Sequence, residues 1–179
     1  EGSPRRAPSF HDVREDGDRI IWVNTFSKNW AMTGWRTGWV EADPSLGDVV
    51  ENLIQYSTSG SPVFVQRACA VALERGESFL AHQIAKARKA RDIVSEAIEA
   101  TGRCRFSRPD GAFYLFFGID GITDSNAAAM KLVDIAKVGL APGSAFGPGG
   151  EGHLRLCYLR SQEQIEIAAE RLRKAIPLL

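Results

Sequence analysis

The chain has 179 residues and carries 22 Lys and Arg against 22 Asp and Glu, so its formal net charge at pH 7 is +0. This balance argues against a nucleic-acid-binding arm or a membrane-surface patch, because both need clustered basic charge. Charged residues interrupt every apolar run well before the roughly 20 residues that a bilayer requires, and residues 1–10 lack the apolar segment of a signal peptide. We therefore expect a cytoplasmic protein with neither nucleic-acid nor membrane partners.

The three cysteines and three histidines are scattered along the chain. An odd number of widely separated cysteines fits reduced thiols better than a disulfide framework. No two histidines have the spacing at which a helix presents both to one metal ion. The sequence therefore predicts no metal site.

The first predicted elements are a loop, two strands and two helices. Residues 1–9 are polar and contain prolines, which is typical of a surface loop. Residues 19–26 form a continuous apolar and β-branched run, which predicts a strand covered on both faces, as in a parallel sheet. Residues 35–42 are a second strand candidate. Apolar residues at a spacing near 3.6 then predict helices over residues 45–57 and 63–75.

The remaining elements begin with the longest helical pattern, over residues 76–101. Ser161 is a predicted N-cap of the closing helix, with Gln164 as its capping-box partner. Short β-prone and helical segments alternate between these two helices. The predicted strands cover residues 103–107, 112–117, 139–141 and 153–159, and the predicted helices cover residues 125–138 and 162–176.

The two parts of the chain differ in how complete their elements are. Residues 1–75 supply two strands and two helices, too few to close a core, so these strands should show unpaired edges unless another copy pairs with them. Residues 76–179 supply enough elements for a small layered α+β domain. We therefore divide the chain into a first domain at residues 1–75 and a second at residues 76–179.

The densest chemical signal follows the first strand. Lys28 comes directly after it, at a position where α/β sheets bind ligands, and a lysine amine is a nucleophile. Thr25 and Ser27 flank the lysine with two hydroxyl groups, and Arg36 follows between two glycines. Hydroxyls and a guanidinium are donors suited to a phosphate group. The combination predicts a site for a phosphorylated ligand.

Three segments carry a family resemblance: SKNWAMTGWRTGW at residues 27–39, RPDGAFYLF at residues 108–116 and APGSAFGPGGEGHLRLCYL at residues 141–159. In this order and separation they resemble class I and II aminotransferases, the fold-type I pyridoxal phosphate enzymes related to aspartate aminotransferase. The resemblance covers essentially the whole chain. Thr25 and Thr37 depart from the family pattern, which usually has Gly or Ser at the first place and an aliphatic residue at the second. Thr25 keeps a hydroxyl.

The resemblance implies an α/β fold: the tail of the large cofactor domain, with a mostly parallel sheet and helices, followed by a small α+β C-terminal domain. It implies that Lys28 forms the internal Schiff base with pyridoxal 5'-phosphate and moves the proton of the substrate α-carbon. Arg36, with Thr25 and Ser27, would bind the cofactor phosphate. Arg155 would bind the substrate α-carboxylate as a bidentate ion pair.

The resemblance also implies that a family member has about twice this length, and that the earlier half supplies other cofactor contacts, including the aspartate that pairs with the pyridine nitrogen. We therefore expect an inactive C-terminal fragment of an aminotransferase that moves an amino group from an L-amino acid to a 2-oxo acid, homodimeric when complete. Two alternatives stay open: a pyridoxal phosphate-dependent carbon–sulfur lyase, and the aminotransferase-like effector domain of a transcription regulator.

Two further features have open interpretations. The Gly- and Pro-rich segment over residues 142–152 is either a surface turn or, by the resemblance, a loop at the substrate entrance to which Gly143, Ser144 and Phe146 contribute. Trp30, two positions after the lysine, is either a packing residue or one that approaches the site.

Overall fold

The computed structural model describes residues 7–179, so the predicted loop over residues 1–9 lies mostly outside the described range. The chain divides into two compact units, one that ends at Gln83 and one that spans Ile84–Leu179. The division falls inside a long helix, further along than the predicted domain boundary after residue 75, which stays a prediction. Across residues 7–179, no helix combines the length and apolar character needed to cross a membrane.

The first unit contains a two-stranded antiparallel ladder of β1 (Trp22–Thr25) and β2 (Gly38–Glu41). The prediction of a first strand covered on both faces is wrong for this chain, because burial alternates along β1 and Val23 is 78% exposed. The ladder has no third strand among the described residues, so each strand keeps one unpaired edge, as the sequence predicted.

The helices of the first unit are α1 (Gly47–Ser57), α2 (Val63–Arg75) and the start of α3 (Glu77–Glu99). The apolar spacing that predicted α1 is present, yet no residue of this helix is buried. Amphipathic spacing favours a helix, whereas burial requires a facing surface, and this unit does not provide one for α1. The buried core of the unit is small: Phe26, Met32, Val65 and Cys69, with Trp30 and Ala72 packed against them.

The second unit is built around a four-stranded antiparallel sheet in the order β3-β4-β6-β5. The observed strands are shorter than most of the predicted ones, but each lies in or beside its predicted segment. The new elements of this unit are β3 (Cys104–Arg105), β4 (Tyr114–Ile119), α4 (Ser125–Ala136), β5 (Ala141–Pro142), β6 (His153–Cys157) and α5 (Gln162–Ala175).

Strand alternation gives this sheet one buried and one exposed face. Leu115 and Phe117 of β4 and Leu154 and Leu156 of β6 are buried, in one core cluster with residues of α3, α4 and α5. The alternating positions between them stay accessible. The predicted N-cap of α5 is confirmed, because the Ser161 hydroxyl accepts a hydrogen bond from the Gln164 N–H at 3.3 Å.

Candidate functional site

The predicted cofactor residues of the first unit lie on the connection between β1 and β2. Thr25 pairs with Gly38 at the end of the ladder, and the Phe26 N–H donates to the Thr37 carbonyl at 3.3 Å. Both ends of the connection are therefore fixed to one short ladder. This topology brings Lys28 and Arg36 onto a single loop.

The backbone of the ladder requires glycine at position 38. A Cβ at Gly38 would overlap the carbonyl oxygen of Asn24 in the facing strand, whereas a Cβ at Gly34 would meet nothing within 4 Å. Only glycine therefore allows β1 and β2 to approach this closely. Gly38 therefore serves the backbone that carries the loop.

Thr25 and Ser27 form a local hydroxyl pair at the start of the loop. The Thr25 hydroxyl donates to the Ser27 Oγ at 2.9 Å, and the Ser27 N–H donates to the Thr25 Oγ1 at 3.1 Å. Ser27 is buried and Thr25 is exposed. Such hydroxyl-to-backbone bonds shape tight turns, which fixes the two oxygens beside each other.

Lys28 follows this hydroxyl pair in a turn and is exposed. A molecule in solution can therefore reach its side chain within this chain. The loop is held underneath by Phe26 and Met32, which pack on Val65 and Cys69 of α2. This packing fixes the backbone of the loop at Lys28.

Arg36 ends a 3-10 turn, Thr33–Trp35, with a left-handed backbone at φ +51. Its Nη1 donates to the Thr33 carbonyl at 3.1 Å, and the residue is exposed. A guanidinium has five N–H donors, so most of them stay available to a ligand. With the Thr25 and Ser27 hydroxyls on the same loop, these donors fit the phosphate group of a cofactor.

Trp30 is placed as a packing residue in this unit. Its ring lies 5.1 Å from the Phe26 ring, centroid to centroid, and a Cβ at Gly76 would overlap its indole. The Phe26 ring also packs on Trp39, at 5.0 Å. These contacts favour the packing interpretation over an approach to the site.

Arg155 lies in the second unit, on the accessible face of the sheet. Its β6 position pairs with Phe116 of β4 and with Ala141 of β5. The guanidinium carbon is 4.3 Å from the Tyr114 ring centroid and 4.1 Å from the Phe146 ring centroid. Within residues 7–179, no carboxylate lies within 4.0 Å of this guanidinium. Its N–H donors are therefore not used by an internal ion pair.

The Gly- and Pro-rich segment folds into two 3-10 turns, Gly143–Phe146 and Pro148–Gly150. The first turn carries Phe146 to Arg155. Sequence reasoning missed Tyr114 as a neighbour of Arg155, although the alternation of Tyr114 and Phe116 along one strand placed both on one face. That Gly143 and Ser144 line a substrate entrance stays a prediction.

The site residues thus form two groups. Thr25, Ser27, Lys28 and Arg36 share one loop of the first unit, and Arg155 belongs to the second. In the described part of the chain, no group of three or more His, Cys, Asp or Glu side chains is arranged to hold a metal ion.

Comparison with known proteins supplies the context for these two groups. The model of the family "Aminotransferase class I and II" matches residues 2–172. The chain is 37% identical over 164 residues to an aspartate aminotransferase of Thermotoga maritima, covering 92% of this chain and 41% of that protein. It is 36% identical over 157 residues to the arginine–pyruvate transaminase AruH of Pseudomonas aeruginosa, covering 87% and 40%.

Solved structures agree with these relatives. The aspartate aminotransferase structure from Thermotoga maritima matches with a TM-score of 0.84 and 32% identity, over 96% of this chain and 44% of that one. The aromatic aminotransferase structure from Pyrococcus horikoshii matches with a TM-score of 0.79 and 35% identity, over 86% and 42%. The predicted α/β fold class of the aspartate aminotransferase type is therefore confirmed, for the C-terminal part of that fold.

The chain spans about two fifths of the length of the curated relatives it matches, 41% for the first of them. Members of the family generally use pyridoxal phosphate, and the named relatives are aminotransferases. Because the family match extends over residues 2–172, it includes both groups of site residues. The chain therefore belongs to the class I and II aminotransferase family.

Proposed function

We propose that this chain supplies the cofactor lysine and the substrate-carboxylate arginine of a pyridoxal phosphate-dependent aminotransferase, which moves an amino group from an L-amino acid to a 2-oxo acid. The observation that carries the proposal is the loop between β1 and β2. It joins the exposed residue Lys28 to the donors of Thr25, Ser27 and Arg36. A phosphorylated aldehyde needs both an amine and phosphate donors.

Arg36 and the two hydroxyls bind the phosphate in this proposal. The guanidinium offers two parallel N–H groups to phosphate oxygens, and the hydroxyls of Thr25 and Ser27 donate to others once their mutual bond opens. Anchoring the phosphate fixes the position of the cofactor relative to Lys28. The cofactor, when bound, supplies the carbonyl carbon and the ring that accepts the electron pair released at the substrate.

Lys28 has two tasks, both at Nζ. Its neutral amine is the nucleophile that would hold the cofactor aldehyde, and the same amine, once released, would take the proton from the substrate α-carbon and deliver it to the cofactor carbon C4′. An arginine could not do this, because its guanidinium stays protonated. Arg155 binds the substrate α-carboxylate through its free N–H groups and so orients the α-carbon.

The finer assignments are part of this proposal. We assign residues 1–75 to the large cofactor-binding domain and residues 76–179 to the small C-terminal domain. We expect this chain alone not to turn over substrate, because the resemblance assigns the partner of the pyridine nitrogen to residues that this chain does not match. We also propose a homodimer for the complete protein and a cytoplasmic location, which the three unpaired cysteines support.

Equilibrium dialysis tests the proposal on this chain. We expect pyridoxal phosphate to be retained more strongly than pyridoxal, which lacks the phosphate, and Lys28→Ala to weaken the retention of both aldehydes. With L-aspartate, an aromatic amino acid or L-arginine as donor and a 2-oxo acid as acceptor, we expect no new amino acid. Equal retention of the two aldehydes by the original chain, or retention that Lys28→Ala leaves unchanged, would contradict the cofactor site. Steady turnover would contradict the proposed inactivity, and release of a thiol from cystathionine would indicate a lyase.

A further inference from the structure

The exposed face of the second unit's sheet surrounds Arg155 with aromatic rings. Tyr114 and Phe146 both contact the guanidinium, at 4.3 Å and 4.1 Å from its central carbon. Phe116, the cross-strand partner of Arg155, meets the Phe146 ring edge-on at 6.2 Å. The His153 ring stacks on the Phe116 ring, with 5.1 Å between the ring centroids. The arginine is therefore held by ring contacts.

A ring contact has a different consequence from an ion pair. An aromatic ring attracts the positive charge across its face and leaves the in-plane N–H groups of a guanidinium uncommitted. Arg105 lies on the same face of the sheet, because it pairs with Gly118 of β4. Unlike Arg155, it forms an ion pair, with Asp120. The carboxylate of Asp120 occupies N–H donors of Arg105, whereas those of Arg155 stay open to a ligand.

A polar tether holds the turn that carries Phe146. The Ser144 N–H donates to the Ser125 Oγ at 3.3 Å, and the Ser125 hydroxyl reaches the Ser144 Oγ at 3.1 Å. The Glu151 carboxylate accepts from the Ser125 N–H at 2.6 Å. Ser125 is fully buried at the start of α4, whereas Glu151 is exposed. The turn that carries Phe146 is thus attached to a helix end.

We propose that Tyr114 and Phe146 are positioning residues that hold the Arg155 guanidinium with its paired N–H groups facing a carboxylate ligand. A long arginine side chain samples many rotamers, so a carboxylate must otherwise select one of them at a cost in affinity. Two ring contacts remove part of that freedom before the ligand binds. The inference rests on the proposed role of Arg155 and adds two residues to it.

Nuclear magnetic resonance of the Arg155 side chain tests this on the whole chain. The probe is 3-phenylpropionate, and 3-phenylpropionamide is the matched ligand without charge. We expect the Arg155 Nε–Hε signal, assigned from its loss in Arg155→Lys, to shift with the carboxylate and not with the amide. In Tyr114→Leu and Phe146→Leu we expect about tenfold faster Hε exchange and about tenfold weaker carboxylate binding.

Conservative variants and one variant of the first unit separate positioning from folding. Tyr114→Phe and Phe146→Tyr keep a ring, so we expect affinity within about twofold of the original. Tyr56→Leu removes an exposed ring from α1 in the first unit and should change nothing at Arg155. A normal carboxylate shift that the Leu variants leave unchanged would overturn the positioning inference alone. A chain whose Arg155 signal ignores the carboxylate would overturn this inference together with the proposed role of Arg155, while the Lys28 site would still be tested separately by dialysis.

Discussion

Lys28, Arg36 and Arg155 show how single side chains acquire chemistry from their backbone setting. Lys28 and Arg36 are exposed on one loop. Arg36 has a left-handed backbone, and its guanidinium donates to the carbonyl of Thr33. Arg155 stands on a regular strand, where alternation sets its direction. The loop residues therefore depend on turn geometry, and the strand residue depends on its ring neighbours.

Arg36 is expected to contribute to the affinity for pyridoxal phosphate and not to the affinity for pyridoxal. Arg36→Gln removes the charge but keeps a polar side chain, so we expect pyridoxal phosphate to bind about 10- to 100-fold more weakly, in line with loss of a charged hydrogen bond. Pyridoxal has no phosphate, and its binding should not change. Equilibrium dialysis of both aldehydes measures this, and an equal loss for both would exclude Arg36 as the phosphate ligand.

At the scale of elements, the ladder of β1 and β2 carries the loop of Lys28 and Arg36, and the tether at the start of α4 holds the turn that carries Phe146. The ladder consists of two four-residue strands. The tether consists of a few hydrogen bonds around Ser125. Damage to either should therefore change a site without removing any residue that contacts a ligand.

The ladder is tested at Gly38. Gly38→Ala adds a Cβ that overlaps the Asn24 carbonyl, so the strands must separate, and we expect a loss of about 1–3 kcal/mol in the free energy of unfolding of the first unit. Gly34→Ala is the matched control on the same loop, because its Cβ meets nothing within 4 Å. Chemical denaturation of both variants measures the difference. Equal stability would show that the close approach of the strands is not required.

The pH dependence of thermal stability tests the tether. Hydrogen bonds from the Ser125 N–H and the Gly152 N–H lower the pKa of Glu151 below its ordinary value of 4.5. A carboxyl with a lowered folded pKa stabilises the fold above its unfolded pKa, and this contribution is lost as the pH falls through the folded value. We therefore expect Glu151→Gln to melt at a lower temperature than the original chain near neutral pH.

This difference should shrink as the pH falls below 4.5 and through the lower folded pKa, because the original carboxyl then becomes protonated as well. Thermal unfolding across the acid range measures it, with Glu74→Gln on the exposed surface of α2 as the control for a lost carboxylate. A difference that stays constant with pH would contradict the role of ionised Glu151.

The sequence predicts local elements well where their ends are marked. The bounds of α2 agree with the prediction, since Pro62 precedes the helix and Gly76 follows it. The two-sided burial of β1 was predicted wrongly, because a continuous apolar run reports what a strand can bury and not which surface faces it. Tyr114 was missed as a neighbour of Arg155 because that contact joins different strands, although the family motif had identified Arg155.

At the scale of the whole molecule, the two units differ in how well each is packed. The first has a small buried cluster around Phe26, and apolar side chains such as Val23 and Leu53 stay exposed. The second has a continuous core that joins one sheet face to three helices. Local stability follows buried apolar contacts and protected backbone hydrogen bonds, so the units should open with different free energies.

Hydrogen exchange tests this difference directly. We expect the amides of β1 and β2 to exchange faster than those of β4 and β6, because a two-stranded ladder has unpaired edges and the central strands of the second sheet do not. Mass spectrometry of peptides from the intact chain measures both at once. Equal protection in the two units would contradict the account of a weakly packed first unit.

The central claim is that Lys28 is the amine that binds pyridoxal phosphate. Incubation of the chain with the cofactor, borohydride reduction and peptide mass mapping would locate the bound group. We predict modification at Lys28 in preference to exposed lysines such as Lys86 and Lys89 of α3, and loss of that preference in Arg36→Gln. Modification spread evenly over the lysines of the original chain, or absent from Lys28, would contradict the claim.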